Sequence, residues 1–180
     1  MSTTTATNDP PRNPAGVLEP QTHLDAAARQ GLIAEIESLP SRLRSSVAGL
    51  DDAKLDVKYR NWTVRQIVHH LADSHANAYV RWRLALTEDR PTIKPYDESR
   101  WATLDDAAHA PIEPSLSLLD ALHDRWTRLL RSLSEDHFGR EYFHPEMNRH
   151  VRLDEALGSY AWHGRHHTAQ IAWLRDRHGW

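Results

Sequence analysis

Four stretches of this chain place apolar residues three or four positions apart, the repeat that gathers them on one side of an α-helix. Leu24, Ala27, Ala28, Leu32, Ile36 and Leu39 form the first stripe, and Val64, Ile67, Val68, Leu71, His75, Ala78, Tyr79, Trp82 and Leu86 the second. Leu119, Leu122, Trp126, Leu129, Leu130 and Leu133 form the third; Leu153, Leu157, Tyr160, Gly164, His167, Ile171 and Leu174 form the fourth. Four amphipathic helices with little strand between them predict an all-α fold, a four-helix bundle whose stripes share one core.

Punctuation residues set the expected boundaries. The first segment covers about 21–50. Pro40 lacks an N–H and must break or kink it, leaving a second piece over 41–49 that Gly49 closes. Residues 51–59 read as a short polar connection. Thr63 followed three residues on by Gln66 is a capping box opening a helix over 64–86. Pro91, Pro95, Pro111 and Pro114 make 87–113 a long crossover loop, with a short helical turn near 98–102, and a loop of that length inside a compact domain is often functional. Ser117 caps a helix over 118–133. Residues 142–144 and 150–153 pair as a small β-hairpin around Pro145-Glu146-Met147-Asn148. The last helix covers 153–177, with Asp154 and Glu155 in its first turn and Arg175 and Arg177 in its last, as the helix dipole favours. Residues 1–19, rich in Thr, Asn and Pro, read as a flexible tail on a single domain, 20–180.

Composition removes several classes of function. A net charge of -3 offers no basic excess for nucleic acid or a membrane surface. No apolar run approaches the roughly 20 residues of a membrane span. There is no basic-then-apolar leader, so the expected location is cytoplasmic. The absence of cysteine excludes disulfides, thiolate nucleophiles and cysteine-type zinc sites, so a transition-metal site must use His with Asp or Glu. There are 13 histidines. His163 and His167 stand one helical turn apart, close enough to share an ion. His69, His70 and His75 lie on the second helix. Three histidines with an open position make a catalytic zinc-type arrangement. Periodicity leaves the third ligand open, with a mild preference for His75, nearer the stripe's centre. Gly164 follows His163, so there is no His-Glu-x-x-His protease motif. No Glu is placed by sequence as a general base, so the catalytic candidates are His75, His69, the loop residue Asp97, and Tyr96. Lys94, Tyr96 and Asp97 read equally as a substrate lid or as a stiffened surface or dimer-contact loop.

The residues from Trp62 to His75 (Trp-Thr-Val-Arg-Gln-Ile-Val-His-His-Leu-Ala-Asp-Ser-His) carry a resemblance. So do Leu84-Ala85-Leu86-Thr87-Glu88, Ile93-Lys94-Pro95-Tyr96-Asp97-Glu98 and Leu122-His123-Asp124-Arg125-Trp126. The pattern continues in His144-Pro145, in the run from Trp162 to Ile171, and in the closing Gly179-Trp180. On these motifs the chain resembles the DinB-like superfamily and, more closely, its YfiT-type, bacillithiol-transferase-like group, described as metal-dependent hydrolases. The resemblance implies a four-helix bundle, a homodimer, and one divalent metal ion per chain, zinc first and nickel or another transition metal as alternatives. It implies His70, His163 and His167 as the metal ligands. Three functions are expected to compete: a metal-dependent hydrolase of a small-molecule substrate, an S-transferase joining a low-molecular-weight thiol to an electrophile, and a non-enzymatic dimeric bundle with a structural or sensing metal.

Overall fold

The computed structural model describes residues 9–180, so residues 1–8 of the expected tail lie outside the described residues. Four long helices, α1 (Ala26–Val47), α3 (Val64–Thr87), α6 (Glu113–Ser132) and α8 (Leu153–His178), form a bundle. α1 and α3 each pack against both α6 and α8, so they stand diagonally across it. Short helices α2 (Asp52–Leu55), α4 (Glu98–Trp101), α5 (Asp105–His109) and α7 (Glu135–Phe138) fill the connections. Two antiparallel hairpins complete the chain: β1 (Lys58–Tyr59) with β2 (Trp62–Thr63), and β3 (Glu141–His144) with β4 (Arg149–Arg152).

Local chemistry explains most boundaries. Asp25 caps α1 through Ala28 N, and Thr63 with Gln66 forms the reciprocal capping box of α3. Gly179, at φ 69°, takes the left-handed conformation that closes α8. The expected hairpin forms with Tyr142 opposite Val151, and Asn148 takes positive φ in its turn. Three expectations need correction. α1 runs through Pro40 as one helix, because the proline removes one intrahelical hydrogen bond while tertiary packing buries its face. α6 begins at Glu113, not after Ser117, since Pro114 falls in the first turn, where the missing N–H has no intrahelical partner to lose. The crossover loop is correspondingly shorter and holds two short helices, not one turn.

Residues 9–22 contain no helix or strand but lie across the body. Tyr59 Oη donates to Pro11 O, Trp162 Nε1 to Gly16 O, and His23 N to the Asp154 carboxylate. No helix among the described residues is long and apolar enough to cross a membrane.

Gly164 lets α8 sit close against Leu39 of α1. A Cβ there would lie 2.7 and 3.0 Å from the two δ-carbons of Leu39, a fully buried side chain of α1. Gly164→Ala is expected to destabilise the fold by about 1–3 kcal/mol, the usual cost of overpacking a filled core, read as a lower urea midpoint at unchanged slope. An unchanged midpoint would mean that Leu39 repacks freely.

Candidate metal centre

The capping box sets the rotation of α3, and with it the directions of its two adjacent histidines. His69 turns toward the end of α5 and the start of α6: Nε2 donates to Ala110 O at 3.3 Å and Nδ1 meets Ser115 Oγ at 2.7 Å. His70, about 100° further round the helix, turns toward α8. There its Nε2 lies 3.1 Å from Nε2 of His163, and the His167 ring centroid is 4.9 Å from its own. One ring nitrogen each from His70, His163 and His167 fall within 4.8 Å of one another.

This donor set fits a divalent ion. Two imidazole nitrogens bound about 2.0–2.1 Å from one tetrahedral ion stand about 3.3 Å apart, close to the observed separation of His70 and His163. All three rings are held neutral, as ligation requires. Burial pushes His70 down to about 4; burial, then the neighbouring histidines, push His163 and His167 well below the ordinary value. Outer contacts orient the rings. His167 Nδ1 donates to Gln170 Oε1 at 2.8 Å, which leaves Nε2 for an ion, and the Gln170 amide donates to His166 Nε2 at 2.9 Å. Trp62 covers the His70 ring at 4.5 Å between centroids and stacks parallel to His167 at 6.1 Å. His75, the residue periodicity preferred, is not among the three. It lies behind His163, with Nε2 3.2 Å from His163 Nδ1.

A cavity of about 220 Å³ opens at His163, between α3, α8, α4 and the β3–β4 hairpin. Leu18, Met147 and Val151 give it apolar wall, while Ser74, Arg81, Glu98, His144, Glu155 and Tyr160 bring polar groups. Arg81 Nη1 donates to Tyr160 Oη at 3.2 Å, and Arg81 Nε is buried without an acceptor among the described residues. Glu155 is held by Arg149. Desolvation raises the Glu98 carboxyl above its ordinary value, against the pull of Arg81. A second cavity, of about 260 Å³, reaches His167; Arg12, Arg60, Asn61, Trp62 and Ser99 border it, and among the described residues no carboxylate does.

The other catalytic candidates fall in different places. His69 has both ring nitrogens engaged where α5 ends and α6 begins. Asp97 is exposed and caps α4 through Arg100 N. Tyr96 packs against Trp101 with ring centroids 4.4 Å apart and planes tilted at 47°, and its hydroxyl is buried without a partner among the described residues; burial raises its pKa. Asp73 makes no hydrogen bond to a histidine among the described residues, and burial, then Asp106, pushes its carboxyl up to about 6. Arg81, Glu98, Tyr160 and Gln170 escaped the sequence reading. For Gln170 a signal existed, since it stands three residues after His167 on the same helix.

A bundle with three inward histidines from two neighbouring helices is a metal-binding architecture. The chain belongs to the DinB superfamily, whose sequence profile matches residues 35–171. It is 44% identical over 169 residues to "Putative metal-dependent hydrolase YfiT" of Bacillus subtilis (strain 168), covering 93% of this chain and 95% of that protein. It is 49% identical over 177 residues to "Putative metal-dependent hydrolase GK0616" of Geobacillus kaustophilus (strain HTA426), covering 97% of this chain and 99% of that protein. The solved structure of the Bacillus subtilis protein, described as having "an unusual four-helix bundle topology", superposes with a TM-score of 0.91 over 93% of this chain and 97% of that one.

Proposed function

We propose that this chain is a metal-dependent hydrolase of small molecules, in which His70, His163 and His167 hold one divalent ion, zinc first, and the substrate occupies the cavity at His163. The observation that carries the reading is the convergence of three neutral imidazole nitrogens, one of them on His163, whose ring lines a cavity that also holds Arg81 and Glu98. A divalent ion on three imidazoles supplies a Lewis acid with a coordination position left for an exogenous ligand. Arg81, fixed by Tyr160, offers its free Nε to an anionic or carbonyl oxygen of the substrate. Glu98, with its raised carboxyl, is the cavity group suited to take and return a proton. The designation of the relatives as metal-dependent hydrolases supports the same reading.

The second cavity, polar and free of carboxylates, favours a second reading. A small anionic thiol beside His167 and an electrophile beside His163 would make the chain an S-transferase. A turnover assay on the purified, metal-analysed protein separates the two. Cleavage of esters, amides or lactones without thiol supports the hydrolase. Loss of an electrophile only when a thiol is present replaces it with the transferase. Silence in both assays, with the metal retained, leaves a structural or sensing ion. Among turned-over substrates, Arg81→Gln is expected to raise KM for carboxylate-bearing members by about 10- to 100-fold, since a hydrogen bond to a charged group contributes about 1.5–3 kcal/mol. Equal effects on neutral and anionic substrates would remove Arg81 from that role.

A further inference from the structure

Behind His163 the hydrogen-bond series does not stop at His75. His75 Nδ1 lies 3.0 Å from His123 Nε2, and His123 Nδ1 lies 2.6 Å from the backbone carbonyl of Ile36. The far end of this series fixes all of it. A carbonyl only accepts, so His123 Nδ1 carries a proton and donates to Ile36 O. A neutral imidazole has one N–H, so His123 Nε2 is an acceptor and His75 Nδ1 must be the donor facing it. His75 Nε2 is then an acceptor, and His163 Nδ1 donates to it at 3.2 Å. His163 Nε2 is left with its lone pair, on the side where His70 and His167 converge. His75 and His123 are 0% and 1% exposed, so no bulk water offers either ring an alternative partner.

The anchor has its own cause in the sequence. Within α1, the carbonyl of Ile36 would accept from the N–H of residue 40, four positions on. Residue 40 is proline and has no N–H. Pro40 therefore releases the one carbonyl that points at His123.

We propose that Pro40, His123 and His75 form a positioning series that presents His163 to the metal as the Nδ1–H tautomer, and that this series sets a substantial part of the site's metal affinity. The proposal rests on His163 being a metal ligand. Outer partners that orient a ligating histidine typically change affinity by about 10–100-fold when removed. None of the three belongs to the converging His70, His163 and His167 group that would hold the ion. Their task is to keep one proton on one side of each ring.

Two measurements test it. The first is ¹⁵N NMR of the histidine rings in the metal-free protein near pH 7.5. The expected result is Nδ1–H for His75, His123 and His163, with Nε2 unprotonated; an Nε2–H tautomer at His75 or His123 overturns the series, whatever the metal does. The second is zinc affinity by competition with a chromophoric chelator. His123→Leu removes the acceptor for His75 and is expected to weaken zinc binding about 10–100-fold. His123→Gln restores both links, its amide oxygen accepting from His75 and its N–H donating to Ile36, and is expected to stay within a few-fold of the parent. Equal losses in both variants would reduce His123 to packing. If the parent binds no zinc or nickel while the tautomers are as stated, the metal reading of the cluster fails and the hydrogen-bond series stands.

Discussion

Replacing His163 by alanine is expected to abolish stoichiometric metal binding, and so are the same changes at His70 and His167. Each removes one of three neutral donors, and no fourth His or carboxylate joins the group among the described residues to take its place. Two imidazoles cannot close the three-sided set that leaves one position open in a tetrahedral site. His163→Ala also leaves His75 Nε2 facing a cavity in place of a donor, so it should cost more stability than the change at His70. The readout is metal per chain after gel filtration, with His150→Ala on the exposed hairpin as control. A second readout is thermal. An ion present at about 100 times its dissociation constant stabilises the parent by about 2.7 kcal/mol, so chelator should lower the melting point of the parent and leave all three variants unmoved. Full metal content in any variant would strike that residue from the site.

The fold was legible because it rests on periodicity. Four apolar stripes, a capping box at Thr63 and terminal charges on α8 are local signals, and each produced its element. The misread boundaries involve proline. Pro114 resembles a loop residue but is tolerated in a first turn, and Pro40 sits inside a helix that packing keeps whole. The β1–β2 hairpin, two residues per strand, carries too little pattern to be seen against its neighbours. The site was legible in part. The spacing of His163 and His167 is a one-helix fact. The choice between His70 and His75 depends on how α3 is rotated against α8, which periodicity on one helix cannot supply. Stripe-centre position marks depth in the core, and depth is what His75 has: it supports a ring of the cluster from behind. Arg81, Glu98 and Tyr160 meet only because α3, α4 and α8 fold together, so no spacing announces their cavity.

The metal-free chain is expected to lose stability steadily as pH falls from about 6.5, the ordinary histidine value, to about 4. Burial lowers His70 and His123 to about 4, and lowers His75, His163 and His167 well below the ordinary histidine value. In the folded state these rings stay neutral across that window, whereas the unfolded chain protonates them near 6.5. The unfolded state therefore binds more protons, and stability, complete above about 6.5, drains away as pH drops toward the folded-state values. His123 alone contributes about 3 kcal/mol across the window, since its shift from 6.5 to about 4 converts at about 1.4 kcal/mol per unit. His123→Gln isolates that share, because the amide keeps the hydrogen bonds and does not titrate. Urea unfolding of the chelator-treated parent and of the variant, at several pH values between 7.5 and 4.5, should give stability curves that separate as the solution is acidified, the parent losing more than the variant. The variant's slope should be shallower by up to one proton, about 1.4 kcal/mol per pH unit. Parallel curves would mean that His123 takes up its proton in the folded chain as readily as in the unfolded one, which its neutral donation to Ile36 and acceptance from His75 forbid.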